Sequence, residues 1–355
     1  MRKKQLLFAT IVSVWILTGC AGQKMAEAPE EEQGTQTEKE EDFLPAEEGT
    51  TEEENTPSVV SSRAAWCVYW DENSAKAAEE SFSDYEELIL FGCIYAEDGS
   101  LYVPEALEQL YEEFPEDTPD TAVYLSFIND VMQEDGSAKQ KSPEFLEQVL
   151  KDDTMGDKVI DDMIIQTRKW GLDGIELDYE NVQKGDNLWE AYLDFVGRLY
   201  DRTKQEGLQL RVVLGAYTPV EQYSFIEGPQ YVVMCYNLFG THSGPGPKAD
   251  AAFLQEMVKR YEGMNVTFAL ANGGFEWNEE EKAVRSLTAY NAAQLAIEQG
   301  EEAKVDESGA LYYTYETEDG KHTVWYGNEE TMKQWETWLL EYSGHDISVD
   351  LWRLE

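Results

Sequence analysis

Histidine and cysteine are scarce in this chain, with three His and four Cys in 355 residues. His242, His322 and His345 stand far apart in sequence, and no Cys-x-x-Cys or Cys/His zinc spacing occurs, so no metal centre and no Ser-His-Asp triad is suggested. Cys67, Cys93 and Cys235 each lie inside an apolar, strand-like run. Their odd number and setting argue for buried thiols and against a disulfide framework. Basic residues are also few: 27 Lys and Arg stand against 72 Asp and Glu, a formal net charge of −45. Nucleic acid and anionic membrane surfaces are poor partners for such a chain. The apolar run at 6–17 is too short for a comfortable membrane span.

That run has a basic start (Arg2, Lys3, Lys4) and ends in Leu17-Thr18-Gly19-Cys20, which resembles a bacterial lipoprotein signal. The expectation is that residues 1–19 are cleaved and Cys20 becomes the lipidated first residue, anchoring an exported protein to the extracytoplasmic side of a cell membrane. An ordinary signal peptide with an incidental Cys is the alternative. Residues 20–62 are rich in Glu, Thr, Gln, Pro and Ala, carry thirteen of the acidic residues, and have almost no large apolar side chains. Such a segment buries too little surface to offset the entropy of ordering, so it is expected to be a disordered, charge-extended tether.

Residues 63–355 remain, enough for one large α/β domain or two small ones. Short apolar runs recur between helix-like segments at 66–70, 88–95, 122–127, 174–179, 210–216, 231–236, 266–271 and 347–352. Eight strands alternating with helices predict a parallel (β/α)8 barrel, although periodicity alone leaves an open doubly wound sheet possible. Residues 279–327 interrupt the alternation between strands seven and eight. They contain two aromatic runs, 311–315 and 323–326, around Glu318-Asp319-Gly320-Lys321, a hairpin signal. The chain ends at Glu355, directly after the eighth run, with no eighth helix. Closure of the barrel bottom is therefore left open.

The most informative segment is Gly171-Leu-Asp-Gly-Ile-Glu-Leu-Asp-Tyr-Glu180. It places Glu176, Asp178 and Glu180 at alternate positions, with Ile175, Leu177 and Tyr179 between them. Alternation puts the three acids on one side of a strand. Helix-like runs at 157–170 and 188–206 flank it, so the strand belongs to a sheet covered on both faces, where unpartnered carboxylates are costly. A solvated edge strand is the bland alternative; a catalytic cluster is the sharp one.

The segment resembles the signature of glycoside hydrolase family 18, Asp-Gly-x-Asp-x-Asp-x-Glu, at Asp173, Gly174, Asp178 and Glu180, with Glu176 standing for the usual middle Asp. This resemblance implies the (β/α)8 barrel, with a small α+β insertion at about 279–327 forming one wall of a groove. It also implies hydrolysis of β-linked N-acetylglucosamine glycans, whether peptidoglycan, chitin-type oligomers or N-glycans. In that chemistry the substrate's own acetamido oxygen attacks the anomeric carbon, and no cofactor or metal is used. Glu180 would be the proton donor and Asp178 would orient the acetamido group. Asp173 and Gly174 would hold the motif together.

Met234-Cys-Tyr236-Asn237 resembles the family's Met-x-Tyr-Asp, so Tyr236 would be catalytic while Met234 and Asn237 contact the sugar. Asn237 adds no charge where the family has an acid. Val349-Asp-Leu-Trp352 resembles the last strand, whose Trp forms the floor under the sugar. Glu176 and Tyr69 complete the expected substrate contacts, with Trp70 as a further candidate. The pattern Ser-x-Gly-Gly is absent where Asn129 and Asp130 follow the third strand. A monomer is expected. A carbohydrate-binding lipoprotein of weak or no activity is the alternative reading.

Overall fold

The structure is a computed structural model that describes residues 58–71, 73–115, 120–185 and 187–355. The expected signal segment, the lipidation site Cys20 and most of the tether lie outside the described residues. In chain order the elements are β1 (Val60–Val68), α1 (Ser74–Ser81), β2 (Glu87–Ala96), β3 (Leu101–Tyr102), α2 (Glu105–Glu113), β4 (Ala122–Met132), β5 (Ala138–Lys139), α3 (Pro143–Lys151), α4 (Asp153–Lys169), β6 (Gly174–Asp178), α5 (Leu188–Gln205), β7 (Gln209–Gly215), β8 (Gln230–Met234), α6 (Ala251–Arg260), β9 (Val266–Ala271), β10 (Gly273–Asn278), β11 (Ala283–Leu287), α7 (Ala289–Gln299), β12 (Lys304–Val305), β13 (Leu311–Thr317), β14 (Gly320–Gly327), α8 (Glu329–Ser343) and β15 (Ile347–Trp352).

Eight of these strands close a parallel barrel in the order β1, β2, β4, β6, β7, β8, β9, β15, with β15 returning to β1. All eight correspond to the apolar runs seen in the sequence. The seam that was left open closes by parallel pairing from Ser62↔Ser348 to Ala65↔Leu351. An Arg63–Glu336 ion pair at 2.5 Å ties β1 to α8 beside it. Strand β1 begins at Val60, so the last three residues assigned to the tether are part of the barrel.

Alternation sorts the side chains into two layers. Ile175, Leu177 and Tyr179 face outward into the layer between strands and helices, together with Leu88, Leu90, Phe195 and Leu199. Trp66, Val68, Phe91, Tyr124, Val213 and Met234 fill the barrel interior. Helices close this outer layer with matching apolar stripes, and α3, α4, α6, α7 and α8 carry side-chain N-caps. Ser142 Oγ accepts the Phe145 N–H before α3, and Asn328 with Thr331 forms a capping box at α8. One expected helix does not exist: β7 runs to β8 through a loop whose Tyr223 and Phe225 rings pack on Trp189 and Tyr231 and cover the sheet there.

The barrel bottom needs glycine at one motif position. A Cβ on Gly174 would lie 2.4 Å from Tyr124 Cε1 and 2.8 Å from the Gln209 carbonyl. The insertion is larger than the sequence suggested: β10 starts it at Gly273, and β10, β11, β12, β13 and β14 form a separate antiparallel sheet with α7 against it. The expected hairpin is the β13–β14 pair, in register from Leu311↔Tyr326 to Thr317↔Gly320. Among the described residues no helix is long and apolar enough to cross a membrane.

Candidate active site

A cleft of about 980 Å³ opens at the C-terminal ends of the barrel strands, the end at which (β/α)8 barrels carry their sites. One wall is the insertion sheet, with Phe275, Glu276, Arg285, Tyr315 and His322. The floor and the other wall come from the strand ends, with Trp70, Phe91, Asp130, Lys141, Asp178, Glu180, Met234, Tyr236, Asn237 and Trp352.

Strand β6 ends at Asp178, and its alternation continues through the next two residues. Tyr179 is buried among Tyr95, Phe145 and Phe195 and donates its hydroxyl to Tyr95 Oη at 2.8 Å, which turns Asp178 and Glu180 toward the cleft. Glu180 is fixed from β4. Asn129 Oδ1 accepts the Glu180 N–H and Asn129 Nδ2 donates to the Glu180 carbonyl, both at 2.9 Å. Its carboxylate pairs with Lys141 Nζ at 2.6 Å. Lys141 follows β5, and its N–H donates to Asp130 Oδ1 at 2.7 Å.

Three acids therefore meet one lysine in a partly desolvated cleft. Burial, and then the charges of Glu180 and Glu176, push the Asp178 carboxyl well above the usual carboxylate range; Lys141 opposes the shift. Asp178 Oδ1 is buried with no hydrogen-bond partner among the described residues. Burial pushes Asp130 up to about 6 against the pull of the Lys141 N–H. The Tyr236 phenol is raised too, first by burial and then by Asp178 and Glu180. The site thus holds a carboxyl biased to its neutral form beside a carboxylate held by an ammonium, a pairing suited to proton transfer.

Met234, Tyr236 and Asn237 line the same cleft from the end of β8, and Asn237 Nδ2 lies 4.0 Å from Met234 Sδ. Trp352 lies at the end of β15, with ring contacts to Phe91 (4.9 Å between centroids), Trp66 (5.7 Å) and Trp70 (6.5 Å). An aromatic platform thus sits across the barrel from Asp178, because β15 and β6 are four strands apart.

Two expected contacts fall elsewhere. Glu176 is fully buried below the cleft. Its Oε1 accepts from Trp66 Nε1 at 2.7 Å and its Oε2 from Arg211 Nε at 3.1 Å. Arg211, itself fully buried, also pairs with Asp350 at 2.5 Å and with Glu87. A carboxylate at this depth needs a cation, and Arg211, its direct register partner on β7, supplies it, so Glu176 supports Asp178 from beneath instead of meeting a ligand. Tyr69 packs into the outer layer, and the ring lining the cleft is its neighbour Trp70, because side chains alternate past the end of β1.

Asp173 lies at the far end of β6, exposed, where its carboxylate accepts the Val123 N–H at 2.8 Å and fixes the start of β4. Sequence reasoning missed Lys141, which is 39 residues from Glu180 and has no motif around it; only the β4–β5 hairpin unites them. It also missed the insertion cluster in which Glu276 accepts from Tyr315, His322 (2.8 Å) and Arg285 (2.7 Å). Among the described residues no group of His, Cys, Asp and Glu is placed to hold a metal ion.

No family model matches the chain. An uncharacterized glycosylase, YvbX of Bacillus subtilis, is 22% identical over 219 residues, 57% of this chain, and the match spans less than two thirds, 63%, of that protein. Among solved structures, the Bacillus cereus spore cortex-lytic enzyme SleL matches with a TM-score of 0.68 at 19% identity, over 84% of this chain and 72% of that one. A family 18 chitinase from Cycas revoluta in complex with (GlcNAc)3 matches with a TM-score of 0.63 at 15% identity, over 83% and 95%. At these identities the likeness establishes the fold: the chain has the barrel architecture of glycoside hydrolase family 18 structures.

Proposed function

We propose that this protein is a glycoside hydrolase that cleaves β-linked N-acetylglucosamine glycans with retention, through attack by the substrate's own acetamido oxygen. The observation that carries the reading is the convergence of Asp178, Glu180, Tyr236 and Trp352, from three separate strands, on one cleft. Trp352 offers a flat apolar face to a pyranose ring. Asp178 and Tyr236 hold the acetamido group: its N–H donates to the Asp178 carboxyl, and its nucleophilic oxygen accepts from the Tyr236 hydroxyl. Glu180 protonates the glycosidic oxygen. Burial and the neighbouring acids bias Asp178 toward its neutral form, and in this reading Asp178 passes a proton to Glu180 as the substrate enters. Asp130 and the insertion wall narrow the cleft and exclude water.

The relatives bear on the substrate class. Two structural neighbours are a spore cortex-lytic enzyme and a chitinase in complex with (GlcNAc)3. Peptidoglycan, chitin-type oligomers and N-glycans are accordingly the substrates to try. The Leu17-Thr18-Gly19-Cys20 motif supports reading the enzyme as exported and held on a lipid anchor at Cys20. The test is fluorophore release from chitobiose and chitotriose glycosides and solubilisation of peptidoglycan by residues 58–355, beside Glu180→Gln. Turnover by the parent, reduced about 10²–10⁴-fold in the variant with an unchanged circular dichroism spectrum, is the expected result. Equal activity of the two would overturn the assignment of Glu180.

Asn237 and the Lys141 pair give a second reading some weight. The amide lacks a charge, and a cation-bound Glu180 is not ready to donate a proton, as in a sugar-binding barrel of weak activity. Saturable binding of chitotriose with no turnover at any pH would select it.

A further inference from the structure

Four basic side chains line the cleft of this otherwise strongly acidic protein: Lys141, Lys248, Arg285 and Arg353. Three of them have partners that keep their hydrogen bonds throughout the proposed reaction. Arg353 Nη1 is 2.8 Å from Asp71, Arg285 pairs with Glu276, and Lys248 Nζ donates to the Asn272 carbonyl at 2.7 Å. Lys141 differs. Its ammonium is bound to Glu180 at 2.6 Å, the group that must become neutral before it can protonate a glycosidic oxygen. Both side chains are about one quarter exposed, so the pair sits where water only partly screens it.

Protonation of Glu180 removes the one direct carboxylate contact that Lys141 makes among the described residues. Its backbone is pinned on both sides, by the Asp130 carboxylate on its N–H and by Asn181 Nδ2, which donates to its carbonyl at 3.1 Å. The lysine is therefore anchored at the cleft within reach of Glu180. Asp178 and Asp130 stay near it, but neither carboxylate pairs directly with Lys141 Nζ, so an anion on the substrate would replace the contact the lysine loses.

Resting on the hydrolase reading, we propose that Lys141 is a specificity residue that passes from Glu180 to a carboxylate carried by the leaving sugar, so that the preferred substrate is an acidic N-acetylglucosamine glycan. A sugar whose 3-hydroxyl bears a lactyl ether, and whose 4-oxygen is the glycosidic oxygen, has this geometry: the carboxylate hangs from the carbon next to the bond being broken. The charges balance. In the free protein the ammonium faces the Glu180 carboxylate; in the complex it faces the substrate carboxylate, Glu180 holds the proton given up by Asp178, and Asp178 carries the negative charge that Glu180 lost. A neutral homopolymer offers no such exchange.

The test uses Glu180→Gln, whose amide stands for the protonated acid and which removes turnover from the measurement. Calorimetry compares a tetrasaccharide of alternating N-acetylglucosamine and lactyl-ether sugar with the same compound amidated at the lactyl carboxyl. The acidic form is expected to bind about tenfold tighter, the size of one charge-assisted hydrogen bond. The preference should fall to within twofold in Glu180→Gln/Lys141→Met and persist in Glu180→Gln/Lys141→Arg. Equal binding of both forms by Glu180→Gln, binding of neither, or a preference that survives Lys141→Met overturns the proposal. Failure of the parent to turn over any glycan would sink the hydrolase reading alone, because the binding comparison needs no catalysis.

Discussion

Asn129 and Glu180 exchange two hydrogen bonds of 2.9 Å, the Asn129 amide group accepting the Glu180 N–H and donating to its carbonyl. Glu180 lies two residues beyond the end of β6, where no ladder holds it, and this clasp replaces the ladder with a side chain from β4. Asn129→Ala frees the backbone that aims Glu180. Activity on a chitotriose glycoside should drop about 10–100-fold in kcat with KM within a factor of two, the pattern expected of a positioning residue. A rise in KM alone would mean that Asn129 contacts the sugar.

Asp178 makes stability depend on pH. Its folded-state carboxyl titrates well above the unfolded value of about 3.9. Below that value both states hold the proton and no cost arises; as pH rises toward the folded pKa the cost of ionising a buried acid grows and stability falls. Asp178→Asn removes it. The variant should melt about 2–4 °C above the parent at pH 7, with the gap shrinking toward pH 4, in thermal unfolding scans. A gap independent of pH would refute the assignment.

Arg211 neutralises Glu176, Asp350 and Glu87 inside the barrel. Arg211→Met leaves buried acids without a cation, and the expected loss is about 3–5 kcal/mol in urea denaturation. A loss below about 1 kcal/mol would show that the acids ionise little in the folded state.

Trp70 and Tyr69 separate cleft from core. Trp70→Ala should weaken chitotriose binding about tenfold while leaving the urea midpoint nearly unchanged. Tyr69→Ala should lower the midpoint and spare the affinity, since Tyr69 packs on the outer layer. The reverse pattern would return Tyr69 to the site.

The eight strands, and the turning of Asp178 and Glu180 to one side, were legible in the chain because period-two alternation is a local property that burial then enforces. Ile175, Leu177 and Tyr179 carry the outer face, and the acids between them have no other side to occupy. The lipoprotein-like start and the acidic tether are likewise matters of composition and order alone. Three things were decided only in the folded sheet. Glu176 finds Arg211 only because β6 and β7 are neighbours, and Asp350 joins them from across the interior. Lys141 reaches Glu180 because β4 turns back through β5 beside β6. Trp70 replaces Tyr69 in the cleft because β1 ends at Val68, and the pleat decides which of the next two rings points inward. Local spacing sets which face a side chain takes. What it meets there is set by residues 35 to 174 positions away, which only the closing of the sheet brings within reach.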